Sequence, residues 1–268
     1  MADADVHEDG IDLNEESAEG SDEGSDEESD EESDPNEEVK LWRGAEIDLT
    51  LIFPPFPTPG AGAAVRAPHD PVRARRFVEE LSTVAEVLEQ LPDRPVDDIP
   101  APEVRADLDC VAVGCWGNVV CFLDPALGSD MLSPAMEEEI ARQRERYPEA
   151  RIVGSVELDY GNSYLEDHVV LPSGEQLFVG GWDCDGDDAW TYAGDPGEIL
   201  RAIGVDRETA AGAGFDLDEE PRERSWSALG ALVVGRFVYT GEEPTVSYFR
   251  VRRTEDGAYS RDEVWFSR

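Results

Sequence analysis

Basic charge is what this chain has least of. One lysine, Lys40, and 21 arginines stand against 63 Asp and Glu in 268 residues, a formal net charge of −41. Nucleic-acid binding needs Lys and Arg to displace counterions from phosphates, so the balance argues against nucleic acid as a partner. It argues against an anionic membrane surface for the same reason. Long apolar runs are missing too: no stretch reaches the roughly 18 residues that a membrane-spanning helix needs. The N-terminus lacks the basic and apolar regions of a secretion signal. The four cysteines, Cys110, Cys115, Cys121 and Cys184, therefore read as reduced thiols. A cytoplasmic location follows as the expectation, or a nuclear one in a eukaryotic or viral setting.

The acidity is uneven. Residues 1–38 carry −19 with no Lys or Arg, residues 39–150 carry −9, residues 151–221 carry −14, and residues 222–268 carry +1. The stretch 16–38, ESAEGSDEGSDEESDEESDPNEE, has almost nothing to bury. Ordering it would cost entropy without return, so 1–38 is expected to be a disordered acidic tail. Ser25 and Ser29 each have Glu three residues later and suit an acidophilic kinase in a eukaryotic host.

From residue 39 onward the pattern is that of one α+β domain, with 94–104 as a Pro-rich connector where two subdomains could meet. Strands are expected at Val39–Arg43 and Glu46–Phe53. In the second, Ile47, Leu49 and Leu51 alternate with Asp48, Thr50 and Ile52, as in a sheet with one buried face. Asp70-Pro71 opens a helix, and the 4, 3, 4, 3 spacing of Phe77, Leu81, Val84, Leu88 and Leu91 extends it to Pro92. Strands at 108–115 and 118–123 flank Trp116-Gly117. A second helix runs from Ser133-Pro134 to about Tyr147, with Glu137–Glu139 at its start and Arg142, Arg144 and Arg146 at its end, as the helix dipole favours. Four strands over 152–192, a short helix capped at Asp195, and strands at 229–239, 245–253 and 263–267 complete the reading. The expected fold is α+β, with an antiparallel-rich mixed sheet and two main helices.

Candidate chemistry is thin. Asp183, Asp185, Asp187 and Asp188 cluster at a hairpin tip between Trp182 and Trp190, but the calcium-loop test fails. Position 6 is Asp188 where Gly is required, and position 12 is Gly194 where Glu is required. Without a cation these carboxylates repel one another, which makes the tip, with its two tryptophans, a docking point for Arg or Lys of a partner. Cys110 and Cys115 are five apart on one strand and point to opposite faces, so they read as buried small residues and not as zinc ligands. His7, His69 and His168 have no local nucleophile motif around them. Arg250, Arg252 and Arg253 beside Tyr248 and Phe249 are expected to pair with the protein's own acids. No cofactor, metal or catalytic residue is assigned.

The run Cys110-Val-Ala-Val-Gly-Cys-Trp-Gly-Asn-Val-Val-Cys-Phe-Leu-Asp-Pro125 resembles a motif of the SUKH superfamily: apolar strand, Gly, two or three residues, Gly, apolar strand, Asp. That superfamily includes bacterial toxin-immunity proteins and betaherpesvirus tegument and early proteins. The resemblance implies a non-catalytic protein that binds and neutralises another. The sequence as a whole points to a non-enzymatic acidic interaction protein with a basic partner, such as a toxin, a host defence protein or a histone-like protein. Two other readings stay open. One is a halophile's cytosolic protein whose acidity is solvent adaptation; the other is a hydrolase whose site is assembled from distant residues.

Overall fold

The structure is a computed structural model that describes Leu41 and residues 44–57, 64–65, 67–128, 134–159, 161–183, 190–235, 237–238 and 244–265. In chain order its elements begin with β1 (Gly44–Ile52), β2 (Ala64–Val65), α1 (Pro71–Val78), β3 (Val84–Pro95), β4 (Cys110–Trp116) and β5 (Val119–Leu123). Next come α2 (Ala135–Arg146), β6 (Arg151–Asp159), β7 (Ser163–Val170), β8 (Gln176–Trp182) and β9 (Thr191–Ala193). The chain continues with α3 (Pro196–Ile203), α4 (Arg207–Gly212), α5 (Trp226–Val234), β10 (Phe237–Val238), β11 (Thr245–Arg253) and α6 (Glu255–Val264). The fold is α+β. Nine strands form one sheet in the order β3-β11-β4-β5-β1-β6-β7-β8-β9, antiparallel at every step, and β2 and β10 form a separate short parallel pair. No helix among the described residues is long and apolar enough to cross a membrane. The expected tail, 1–38, lies outside the described residues.

Both faces of the sheet are covered, which is why its central strands are buried so evenly. On the first face Leu49, Leu51, Val113, Phe122, Ile152 and Val156 pack under α1, α2 and α6. There the Phe77 ring of α1 meets Phe122 edge-on at 5.8 Å. Gly154 of β6 lets Met136 and Ile140 of α2 close onto the sheet; a Cβ there would lie 2.9 Å from the Met136 sulfur. On the second face Val153, Val169, Leu177 and Val179 pack against α3 and α5, with Phe215 and Trp226 between. The β4–β5 hairpin turns at Gly117, whose φ of 63° suits glycine. Trp116 lies flat over Gly114, where any Cβ would overlap its ring.

Three expectations are corrected. The helix opened by Asp70 stops at Val78, and residues 84–95 form the edge strand β3. The apparent helical stripe has a physical cause. Along β3, Val87 and Glu89 oppose the adjacent residues Val251 and Arg250, while Val84 and Glu86 oppose Arg253 and Arg252. Each bulge adds a residue, so buried Val84 and Val87 end up three apart instead of two. Pro92 is tolerated because the strand lies at the edge. Residues 229–234, expected as strand, belong to α5, a helix whose Trp226, Leu229, Gly230 and Val233 face the core. Its run of apolar residues does not reveal its period. Finally, residues 263–264 close α6, and Asp256-Gly257 lies in its first turn, not in a hairpin. The Thr254 side chain caps that helix, accepting from Gly257 N at 3.1 Å. The expected strand at 39–43 is represented by Leu41, whose N–H donates to Glu103 O at 2.8 Å; its other residues lie outside the described set.

A buried ion pair ties the ends of these strands. Arg253 Nη1 at the end of β11 lies 2.7 Å from Asp124 Oδ1, just past β5, and both side chains are essentially inaccessible. Asp124 also accepts from Thr83 Oγ1 at 2.5 Å and from Ala126 N at 2.9 Å. Arg253 Nη2 donates to Leu108 O at 2.5 Å. Removing one partner of such a pair leaves the other charged and dry. Asp124→Asn is therefore expected to cost about 3–5 kcal/mol in urea unfolding. Glu86→Gln, which breaks the exposed pair with Arg252, should change stability by less than about 1 kcal/mol.

Candidate functional site

Alternation on β1 sends Ile47, Leu49 and Leu51 to the first face and Glu46, Asp48 and Thr50 to the second. Register then brings further carboxylates alongside. Asp48 stands opposite Ser155 of β6, which stands opposite Asp167 of β7; Glu46 stands opposite Glu157. Four carboxylates from three adjacent strands thus share one face. Beside them, toward β4 and β11, runs a groove of about 460 Å³ whose lining includes Glu46, Asp48, Asp97, Asp107, Tyr248 and, at its end, the Arg253-paired Asp124, with the 96–102 connector along it. No Lys, Arg or His is among the residues lining it. We call the combined feature the acidic trough.

The electrostatics follow from this crowding. Burial pushes the Asp48 carboxyl up to about 6 from an ordinary 3.8, and the charges of Asp167 and Glu46 add to the effect, against a hydrogen bond from Thr50. Burial likewise lifts Asp167 to about 6. Glu166 and Glu157 add to the rise, while a Ser155 hydrogen bond and His168 oppose it. The other buried acids of this fold are treated differently. Asp124 has Arg253 and Thr83. Glu139 accepts from Ser82 N at 3.0 Å and Gln143 Nε2 at 2.5 Å. Glu166 accepts from Tyr164 Oη and pairs with His168 Nε2, each at 2.6 Å.

The residues expected at the hairpin tip do not come together as one described surface. Trp182 lies on the first face with its ring 5.1 Å from Tyr164. Trp190 is in the second core, pressed onto Gly181 and stacked 6.1 Å from Tyr192. Asp183 is exposed, and its carbonyl accepts from Arg222. Asp185, Asp187 and Asp188, like Ser25 and Ser29, lie outside the described residues. The basic strand pairs with acids of the neighbouring strand: Arg250 with Glu89 at 3.6 Å and Arg252 with Glu86.

One nucleophile–histidine contact calls for a chemical test. His69 Nε2 lies 2.9 Å from the buried Ser247 Oγ, which has the look of a catalytic pair. Yet His69 Nδ1 accepts the backbone N–H of Cys115 at 3.1 Å. The neutral ring must then carry its proton on Nε2 and donate to Ser247, so it cannot take the serine's proton. Burial also holds the His69 pKa below its usual value. The Cys115 thiol is pushed up to about 12 by burial, which leaves it unreactive. Cys110 and Cys115 do sit in opposite cores, as alternation requires.

The trough escaped sequence reading because its acids come from positions 46–48, 157 and 167. The alternation on β1 showed which residues share a face; it could not show that this face would be flanked by more acids.

Residues 29–268 match the family of unknown function DUF6333, and the chain belongs to that family. No curated protein and no solved structure matches it.

An acid whose folded pKa is raised weakens the fold wherever it is ionised. The unfavourable contribution is complete above about pH 6 and fades as the pH falls toward 3.8. Asp48→Asn or Asp167→Asn should therefore raise stability at pH 7.5 by about 1–3 kcal/mol. Chemical denaturation should show that gain shrinking between pH 6 and pH 4.

Proposed function

We propose that this DUF6333 protein is a non-catalytic binding protein that takes cationic side chains of a basic partner protein into the acidic trough. One observation carries the reading. Asp124 has a guanidinium, Glu166 an imidazole and a phenol, and Glu139 an amide and a backbone N–H, whereas Asp48 and Asp167 have one hydroxyl each and otherwise face further carboxylates. An arrangement that lowers the stability of the free protein is what a site completed by its ligand requires. A guanidinium or ammonium group entering the trough would offset the burial that chiefly lifts both carboxyls and the repulsion that adds to it. The formal charge of −41 steers such a partner inward from a distance. The likeness of residues 110–125 to immunity-protein sequences points to the same class of function.

A second reading has one observation in its favour. A carboxyl lifted to about 6 beside a groove has the acidity a general acid needs, so Asp48 could serve a hydrolase. The two readings separate on what the carboxylates do for binding and for turnover. Nona-arginine, titrated calorimetrically at 50 mM salt, is expected to bind the protein and to lose at least about tenfold in affinity at 0.5 M salt, where the Debye length is a few Å. The Asp48→Asn, Asp167→Asn protein should bind at least about tenfold more weakly at low salt. Removal of residues 1–38 should weaken binding without abolishing it, since −22 of the charge remains on residues 39–268. Undiminished binding by the doubly substituted protein would refute the trough as the site. Loss of all binding with the tail alone would move the function to 1–38.

A further inference from the structure

The opposite face of the sheet carries a second polar feature that the trough does not explain. Tyr164, Glu166 and His168 alternate along β7 on the first face, and all three are at least nine-tenths buried. Tyr164 Oη donates to one oxygen of Glu166 at 2.6 Å, and His168 Nε2 lies 2.6 Å from the other. An ionised carboxylate can only accept, so Nε2 carries a proton and donates it to this bond. That fixes the imidazole and leaves Nδ1 as its one uncommitted polar atom, with no hydrogen-bond partner among the described residues. His168 lines a groove, so Nδ1 is open to a donor arriving from there.

This groove, of about 790 Å³, lies between α2 and the β7–β8 part of the sheet. Its apolar walls include Ile140, Val170 and Phe178, and the Phe178 ring centre is 4.9 Å from that of His168. Its charged residues are Glu137, Glu145 and Arg144. Arg144 is already engaged: with the Gln176 amide turned oxygen toward it, that oxygen accepts from the guanidinium. The carboxylates of Glu137 and Glu145 outnumber the one guanidinium, Arg144, on the groove's lining. The groove therefore offers an acceptor nitrogen, an apolar and aromatic wall, and a field that favours a cation.

We infer that this groove is a second ligand site, distinct from the trough, that takes a small primary amine on an aromatic or branched aliphatic body, the ammonium donating to His168 Nδ1. Glu166 is the positioning residue: it holds the tautomer that presents Nδ1 as an acceptor, and Tyr164 holds Glu166. Such orientation by a second carboxylate is how imidazoles are commonly fixed at binding sites.

The test is a titration of the full-length protein with phenethylamine, followed on the imidazole ¹⁵N and ¹H signals; His7 and His69 serve as internal references. Phenethylamine should shift the His168 signals saturably and leave those of His69 in place, with a Kd of about 1 mM or lower. Phenylacetate, of similar shape and opposite charge, should bind at least about tenfold more weakly. Glu166→Gln keeps the size of the side chain and should raise the Kd at least about fivefold, the scale of losing a charge-assisted contact. The Asp48→Asn protein should bind phenethylamine as the unsubstituted protein does. Absence of a saturable His168 shift overturns the proposal, as does phenylacetate binding equal to or tighter than the amine. Loss of amine binding in the trough variant overturns it too, because the amine would then occupy the trough. The comparison of amine and carboxylate uses the unsubstituted protein, so it decides the matter even if Glu166→Gln folds poorly.

Discussion

The Asp124–Arg253 pair is the interaction on which the sheet's architecture turns. Arg253 ends β11, the strand that joins β3 to β4. Asp124 follows β5 and caps the short turn that leads away from it. Through Thr83 the same carboxylate reaches the start of β3, and through Leu108 O the same guanidinium reaches the residues before β4. Four segments far apart in sequence thus meet on two charges that water does not reach. A pair of this kind is a poor source of net stability compared with hydrocarbon. It does penalise any arrangement that separates the partners, because each would then be buried alone.

The same reasoning distinguishes structure from site among the remaining acids. A folded chain with this much negative charge has few cations to spare, and the interior receives them selectively. Arg253 goes to Asp124 inside, Arg261 reaches Asp109 at 2.5 Å at the margin, and Arg105 meets Asp262 at 2.7 Å on the surface. Hydroxyls, an amide and an imidazole serve the carboxylates that cations do not. Asp48 and Asp167 of the trough receive hydroxyl groups, from Thr50 and Ser155. Burial lifts these two carboxyls to about 6, and the fold is less stable for keeping them ionised.

Much of the scaffold was legible in the sequence. The strands at 46–53, 108–123 and 152–180 announced themselves by alternation and by glycine turns, and α2 and α3 by their caps and charges. The errors fell where a local pattern was ambiguous. At 84–91 the bulges of β3 imitate a helical period, and at 229–234 a helix apolar on nearly every side imitates a strand. The sites were far less legible. Asp48 could be placed on a face from β1 alone. Its proximity to Asp167 depends on two strand registers set by residues more than a hundred positions away. The His168–Glu166 contact is local, two residues along one strand. Even so, only the finished sheet shows that both are shut away from water.

The bulges of β3 bear on a hazard common to open sheets. A sheet with a free edge presents unpaired N–H and C=O groups to any extended chain nearby. Here one edge is a twelve-residue strand, long enough to template such pairing. Yet the extra residues at Ala85 and Leu88 break the even spacing of its outer polar groups, and Pro92 has no N–H to offer. Glu86 and Glu89, paired with Arg252 and Arg250, and Asp93 set charged side chains along the same strand, so an incoming segment of another copy meets both a broken ladder and groups it would have to desolvate. The irregularity that disguised this strand as a helix also guards the protein against edge-to-edge aggregation.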